Sequence, residues 1–227
     1  MSKIAIIAGY GTGISHAAAS HFGKKGYQVA LLSRTKAKLD SSVAEFSKHG
    51  VKALAFPVDL SKPDLVKKTV DDIRKIGTVE ILFWNPYGPP KGALDLTAAE
   101  LDDAVRLTTT SLAIATQAVL PDLEKSKGSI LVTGGGLSLE NDNVVNLAVA
   151  WNATTLAVAK ASQRKLVHIL HETLKPKGVF VGEVTVMGIV KGTAFDHDGK
   201  STLTAESIIA KFEELLAKRD QVFATAQ

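Results

Sequence analysis

The sequence predicts an α/β fold: a Rossmann-like doubly wound parallel sheet flanked by helices on both faces. Three observations lead there. Short apolar, β-rich runs alternate with longer amphipathic runs along the whole chain, the pattern of repeated βα units. The first apolar run, Ile4-Ala5-Ile6-Ile7, passes directly into Ala8-Gly9-Tyr10-Gly11-Thr12-Gly13-Ile14, a glycine-rich turn placed between a strand and a helix. No linker, repeat or low-complexity segment divides the 227 residues, a length that suits one α/β domain.

The elements follow in order. Residues 4–8 read as a strand, and 13–25 as a helix ending at Gly26. Residues 27–33 are a second strand, and 36–49 an amphipathic helix closed by Gly50. Residues 51–58 form a third strand with Asp59-Leu60 at its carboxyl end. Ser61 is a plausible cap for the helix that follows, with Pro63 and Asp64 in its first turn, up to Ile76. Residues 79–84 are the fourth strand, followed by the turn Asn85-Pro86-Tyr87-Gly88-Pro89-Pro90. A helix is expected over 97–123 with Pro121 near its end, then a fifth strand over 129–133 and the run Gly134-Gly135-Gly136. Residues 144–174 read as largely one long helix, 179–186 as the sixth strand, 204–218 as a last helix capped by Thr204, and 221–226 as a short edge strand.

Composition narrows the function. With no cysteine, disulfides, thiolate metal sites and cysteine nucleophiles are excluded. The net charge of +4 is spread along the chain without a basic block, so the pattern argues against a nucleic-acid surface and fits an anionic small ligand. No apolar run is long enough to read as a membrane span or signal segment, so the chain is expected to be soluble and cytoplasmic, with no membrane or nucleic-acid partner.

The ligand crevice of a doubly wound sheet lies beyond the carboxyl ends of its strands. There, the glycine turn brings backbone N–H groups close to a phosphate at the positive end of a helix. A glycine turn also arises where a chain only needs to bend tightly; strand before and helix after favour the phosphate reading. At the end of the second strand, where an NAD-binding fold carries an acid for the ribose 2′-hydroxyl, this chain has Ser33-Arg34-Thr35. A planar guanidinium beside two hydroxyls suits a 2′-phosphate, which favours NADP(H), with NAD(H) possible.

These motifs make the chain similar, over nearly its whole length, to the short-chain dehydrogenase/reductase family. The family's first glycine motif corresponds to residues 8–15, with Ser15 in place of the last glycine. Its Asp after the third strand matches Asp59, and its Asn-Ala-Gly turn resembles Asn85-Pro86-Tyr87-Gly88. The resemblance implies that Gly9, Gly11, Gly13, Ile14, Ser33, Arg34, Asp59, Asn85 and Lys160 hold the cofactor.

The family's chemistry rests on a Tyr proton donor, a Lys four residues later that lowers the Tyr pKa and holds the nicotinamide ribose, a Ser that polarises the carbonyl, and an Asn relay. Counted back from Pro176-Lys177-Gly178, the Lys falls on Lys160 and the Tyr position on Leu156. Counted from Gly128-Ser129-Ile130, the Ser position falls on Gly135; the relay Asn falls near Thr108. The segment between Gly135 and Leu156 is longer than usual for the family, so Ser138 could fold back into the serine's place. The chain thus resembles a divergent subgroup that keeps the Lys and lacks the Tyr and Ser.

Of the three tyrosines, Tyr87 sits at the mouth of the site and is the one credible substitute donor; the alternative is a rigid aromatic between Pro86 and Pro89. Asn152, one turn before Leu156, could share its face. His168 and His171 read as a solvated helix face rather than metal ligands, and His197 as a polar turn residue or a weaker candidate acid. The expected function is an atypical NADP(H)-dependent oxidoreductase acting on a carbonyl or alcohol, with Lys160 and Tyr87 as catalytic candidates and no metal. The alternative is a catalytically silent NADP(H)-binding protein serving as redox sensor or partner subunit. By the same resemblance, helices 97–123 and 144–174 would pair in a homodimer or homotetramer.

Overall fold

The computed structural model describes residues 2–193 and 195–227. Seven strands form one parallel sheet: β1 (Ser2–Ala8), β2 (Gln28–Ser33), β3 (Ala53–Pro57), β4 (Gly77–Trp84), β5 (Ser129–Gly135), β6 (Phe180–Val186) and β7 (Phe223–Ala226). Their order is β3-β2-β1-β4-β5-β6-β7, and every neighbouring pair is parallel.

The period-two alternation of the strands decides which helices lie on which face. In β1, Ile4, Ile6 and Ala8 face one core and Ala5 and Ile7 the other. Against the first pack α3 (Pro63–Arg74) through Val66, Val70 and Ile73, α5 (Ser111–Ser126) through Leu112, Ala115, Val119 and Leu123, and α7 (Thr154–Leu174) through Val167 and Leu174. Against the second pack α1 (Ile14–Lys24) through Ala18, Ala19 and Phe22, α2 (Lys36–Lys48) through Leu39 and Phe46, and α8 (Ala205–Lys218) through Ile208, Phe212 and Leu215. Each large aliphatic side chain buried this way contributes about 1.5–3 kcal/mol, so the central strands, buried on both faces, are the rigid part of the molecule.

The strand order reverses between β1 and β4. Their carboxyl-end loops therefore diverge to opposite sides and leave a crevice, the switch point of a doubly wound sheet. The Asn85 N–H bonds to Ala8 O at 3.0 Å, which fixes the loop after β4 beside the glycine turn after β1.

Four local expectations are corrected. The helix predicted over 97–123 is α4 (Ala98–Val105), then a π-helical turn (Arg106–Thr110), then α5. The turn widens where the Trp84 indole donates to Thr108 O at 2.9 Å and the Thr108 hydroxyl reaches back to Ala104 O at 2.9 Å. α4 starts at a Thr97–Glu100 capping box, and Pro121 is carried inside α5. The long helix predicted over 144–174 is two, α6 (Asp142–Ala150) and α7, broken at Asn152 with φ +47°. Asn tolerates the left-handed region, and the Thr155 hydroxyl, bonded to Pro89 O at 3.1 Å and to Lys91 N at 3.0 Å, seats the start of α7 on the loop after β4. Asn152 therefore lies outside the helix and does not share a helical face with Leu156. The cap of α3 is Lys62 rather than Ser61, whose N–H and hydroxyl both donate to Asp59 Oδ1 at 2.9 Å. His171, expected on a solvated face, is buried and its Nδ1 donates to Val181 O at 2.7 Å, while His168 stays exposed, edge-on to Phe223.

The break between α6 and α7 gives a stability prediction. Asn152→Gly should leave the denaturation midpoint unchanged or raise it, whereas Asn152→Val, which forces a β-branched residue to positive φ, should cost about 1–3 kcal/mol; urea unfolding of the two variants measures the difference.

Candidate functional site

The glycine turn is shaped by its neighbours. Gly9 has φ +76°, and a Cβ there would lie 2.6 Å from the backbone nitrogen of Pro86, so the loop after β4 lies too close for any side chain. Gly13, with φ +87°, begins α1, and a Cβ on it would come within 3.0 Å of Thr193 in the loop after β6. Gly11 opens to free space, with nothing within 4 Å of a Cβ. Ser15, which replaces the third glycine of the motif, is buried: its hydroxyl donates to Gly9 O at 2.8 Å and accepts from the Asn85 amide at 2.6 Å. The Asn85 side chain thus holds the turn from behind through Ser15. Ile14 opens α1, which has no capping side chain and no acidic residue in its first turn, so its positive end is available to an anion.

Ser33 ends β2 half-buried and Arg34 is exposed just beyond it. Burial alone would raise the Asp59 carboxyl, but the N–H and hydroxyl of Ser61, with the charges of Lys62 and Arg34, hold it below the usual carboxylate range. Asp59 is thus an ionised, oriented group on the same rim as Arg34. Open space at Gly11, an uncapped helix start and a guanidinium past β2 fit a phosphate-bearing dinucleotide.

Beyond β4 and β5 the chemistry changes. Lys160 is buried on α7, and its ammonium donates to Thr133 O at 2.8 Å, Pro86 O at 3.2 Å and Gln163 Oε1 at 3.2 Å. Burial pushes its pKa down to about 8, against the opposing charge of Glu183. Leu156 stands half-buried one turn before it. A Cβ at Gly135 would lie 3.9 Å from Lys160 Cγ, in ordinary contact with it, so this position packs against the Lys160 side chain. Tyr87 is 48% exposed, with its ring 5.6 Å from Phe195, so it ties the loop after β4 to the loop after β6 instead of pointing into a closed core. His197 is exposed, in a loop held by Asp196, which accepts from the N–H groups of Gly192 and Ser201. No group of three or more His, Asp or Glu side chains able to hold a metal occurs among the described residues.

One buried pair escaped the sequence reading. Glu183 on β6 is fully buried, and its Oε1 accepts from Arg164 at 2.6 Å and from the Thr185 hydroxyl at 3.1 Å. Arg164 lies over the Phe223 ring at 3.6 Å. Burial raises the Glu183 carboxyl, while Arg164, Thr185 and Lys160 pull it down. Gly134 makes room for it: a Cβ there would sit 2.4 Å from the carboxyl group. A single Glu within the apolar run 179–186 was the available signal.

Comparison with known proteins agrees with this geometry. The sequence profile described as short chain dehydrogenase matches residues 3–203. The 7alpha-hydroxysteroid dehydrogenase of Escherichia coli (strain K12) is 29% identical over 205 residues, covering 90% of this chain and 76% of that protein. Human very-long-chain 3-oxoacyl-CoA reductase is 31% identical over 192 residues, covering 81% of this chain and 58% of the relative. Among solved structures, a short-chain dehydrogenase from Sphingobium yanoikuyae in complex with NADPH superimposes with a TM-score of 0.80 at 22% identity, covering 99% of this chain and 87% of that one. A metagenomic short-chain oxidoreductase in complex with NADP does so with 0.79 at 19% identity, covering 100% and 99%. With a glycine turn, Asn85 and Lys160 set around the switch point of a parallel sheet, and with the profile matching most of its length, the chain belongs to the short-chain dehydrogenase family of oxidoreductases. No helix among the described residues is long and apolar enough to cross a membrane.

The buried lysine has a pH signature. Between pH 8 and about 10.4 the unfolded chain keeps a proton on Lys160 that the folded protein gives up, so folding gains from rising pH at up to about 1.4 kcal/mol per pH unit. Measured against Lys160→Met, the wild type should gain relative stability across that window and show a flat difference below pH 7; a difference that falls as pH rises would contradict the assignment.

Proposed function

We propose that this chain is an atypical NADP(H)-dependent oxidoreductase that reduces an apolar carbonyl or oxidises the corresponding alcohol, without the family's usual Ser and Tyr pair. The observation that carries the reading is the rim of the switch point: a glycine turn buttressed by Ser15 and Asn85, with Arg34 where an NAD-binding site has an acid. Gly9, Gly11, Gly13 and Ile14 would receive the pyrophosphate, Ser33 and Arg34 the 2′-phosphate, and Asp59 the adenine side. Bound there, the dinucleotide supplies or accepts the hydride. The chain's own part is to orient the reactants and to place a proton. Asn85 fixes the loop that carries Pro86 and Tyr87, and Lys160 fixes that loop against β5 through Pro86 O and Thr133 O. Its ammonium supplies a positive charge near the reacting carbonyl. Leu156 cannot donate a proton, so protonation comes from Tyr87 or from water.

The substrate end is apolar. Tyr87 and Leu94 after β4, Val145, Val149 and Trp151 in and just past α6, and Met187 after β6 are all exposed, in the segments that follow the carboxyl ends of β4, β5 and β6. Such a patch beside a polar crevice suits a ligand with a carbonyl on a hydrophobic body. The steroid dehydrogenase and the acyl-CoA reductase among the relatives, named for large apolar substrates, support this reading. The exposed Val158 and Ile169 on α7 support a homodimer or homotetramer through the helical segments 97–123 (α4 and α5) and 144–174 (α6 and α7), which light scattering tests.

A silent NADP(H)-binding protein is the second reading, favoured by Leu156 and by the three acceptors that already occupy the Lys160 ammonium. Turnover of NADPH over a panel of hydrophobic ketones and enones separates the two: consumption supports the enzyme, and micromolar binding without turnover supports the silent protein. Arg34→Ala should weaken NADPH roughly 10-fold or more and NADH little, as one lost charge-assisted contact to phosphate implies; equal losses in titration would remove the 2′-phosphate assignment. Tyr87→Phe should lower kcat about 100-fold if Tyr87 is the donor and leave it unchanged if water is.

A further inference from the structure

We infer that Glu183 is a positioning residue for the reaction: beside the Thr133–Gly134 peptide, its carboxylate holds the Lys160 ammonium in its charged form. This rests on the oxidoreductase reading above, which uses that charge near the reacting carbonyl.

The two groups meet at one peptide. The Lys160 ammonium donates to Thr133 O at 2.8 Å. A Cβ on the next residue, Gly134, would sit 2.4 Å from Cδ and Oε1 of Glu183. Gly134 is not among the glycines at positive φ, so its backbone does not call for glycine. What calls for it is the carboxyl group, which any side chain at 134 would displace. Lys160 and Arg164 stand four residues apart on α7, on one face of the helix. One carboxylate thus serves two cations one turn apart.

The two oxygens of Glu183 are used unequally. Oε1 accepts from Arg164 at 2.6 Å and from the Thr185 hydroxyl at 3.1 Å. Oε2 is buried with no hydrogen-bond partner in the chain, so no donor in the chain engages it directly. The acceptors of the Lys160 ammonium, Thr133 O, Pro86 O and Gln163 Oε1, are all uncharged. A buried cation held only by neutral acceptors gives up its proton readily. Burial drives the Lys160 pKa down, and Glu183 is the one charge that opposes it.

No other described group near Lys160 takes this part. β5 and the 3₁₀ turn after it (Gly136–Ser138) carry no titratable residue, and Glu183 is the only one on β6. On α4 and the π turn, Asp102, Asp103 and Arg106 are exposed, and Glu100 is engaged by Thr97 and Lys91. Asp142 on α6 and Tyr87 after β4 are exposed. On α7 itself, Lys165 and His168 are exposed, and His171 is bonded to Val181 O. Glu183 moves no proton in the reaction and acts only through Lys160.

The test reads the Lys160 charge directly. In carbon-13 NMR, the Lys160 Cε signal, identified by its loss in Lys160→Met, should titrate in wild type at about pH 8. Its midpoint should fall by about one pH unit in Glu183→Gln and stay closer to wild type in Glu183→Asp, which keeps the charge. With NADPH and acetophenone or larger aromatic ketones, the kcat deficit of Glu183→Gln should grow from less than about twofold at pH 6 to about tenfold at pH 9. A merely structural role would lower kcat by one factor at every pH. Where Glu183→Gln does not fold, Arg164→Met with Glu183→Met removes the charge, leaves no stranded partner, and should give the same lowered midpoint. An unchanged Lys160 midpoint in the folded neutral variants, or a kcat deficit constant with pH, overturns the inference. A wild type that binds NADPH and turns over no ketone overturns the oxidoreductase reading and the role of Glu183 in a reaction; the NMR midpoints decide separately whether Glu183 holds the Lys160 charge.

Discussion

The three N–H donors of the Lys160 ammonium bond to three different segments: the loop after β4 at Pro86 O, the end of β5 at Thr133 O, and the next turn of its own helix at Gln163 Oε1. A buried charge is tolerated only where every donor is met, and removing its acceptors would leave an uncompensated cation in an apolar interior, a loss of about 3–5 kcal/mol. The positions of these segments are therefore tied to one side chain. Pro86 lies against Gly9, whose turn holds the start of α1, so the chain of contacts extends from the buried lysine to the phosphate end of the crevice. Glu183 and Arg164 continue the polar layer under α7, with Gly134 left bare to admit the carboxylate.

This arrangement separates two kinds of residue that the family usually joins. The binding side depends on backbone: positive-φ glycines, a free helix start and an amide that braces the turn through Ser15. Such a site needs few particular side chains and survives large changes around it. The reacting side of the family depends on side chains whose protons must be at defined points; on the proposed reading Gly135 and Leu156 stand there and offer none. On that reading, a proton donor would come from the loop after β4, where Tyr87 lies, rather than from the helix that carries Lys160.

The strands and the crevice were legible because they follow from local rules. Alternating apolar residues in β1 specify two buried faces, Gly26 and Gly50 stop helices, and the turn before Ile14 places Gly9 and Gly13 at positive φ. What local rules missed depended on distant partners. Nothing in the run 97–123 announces the π turn, because its cause is the Trp84 indole from another element. Nothing near Asn152 predicts a break, because Thr155 is held by the loop after β4. His171 looked solvent-facing because its partner, the Val181 carbonyl, is ten residues away on β6.

By itself the sequence determined the parallel α/β fold and the position of the glycine turn between β1 and α1, because periodicity, glycine geometry and motif spacing are properties of neighbours in the chain. Only the tertiary structure decided which side chains meet. It directed the Lys160 ammonium to two backbone carbonyls and the Gln163 side chain, bonded the Asn85 amide to the Ser15 hydroxyl, and paired Glu183 with Arg164. The reason is physical: a hydrogen bond or a desolvation cost exists only between groups that folding brings together, and most of these partners lie tens of residues apart.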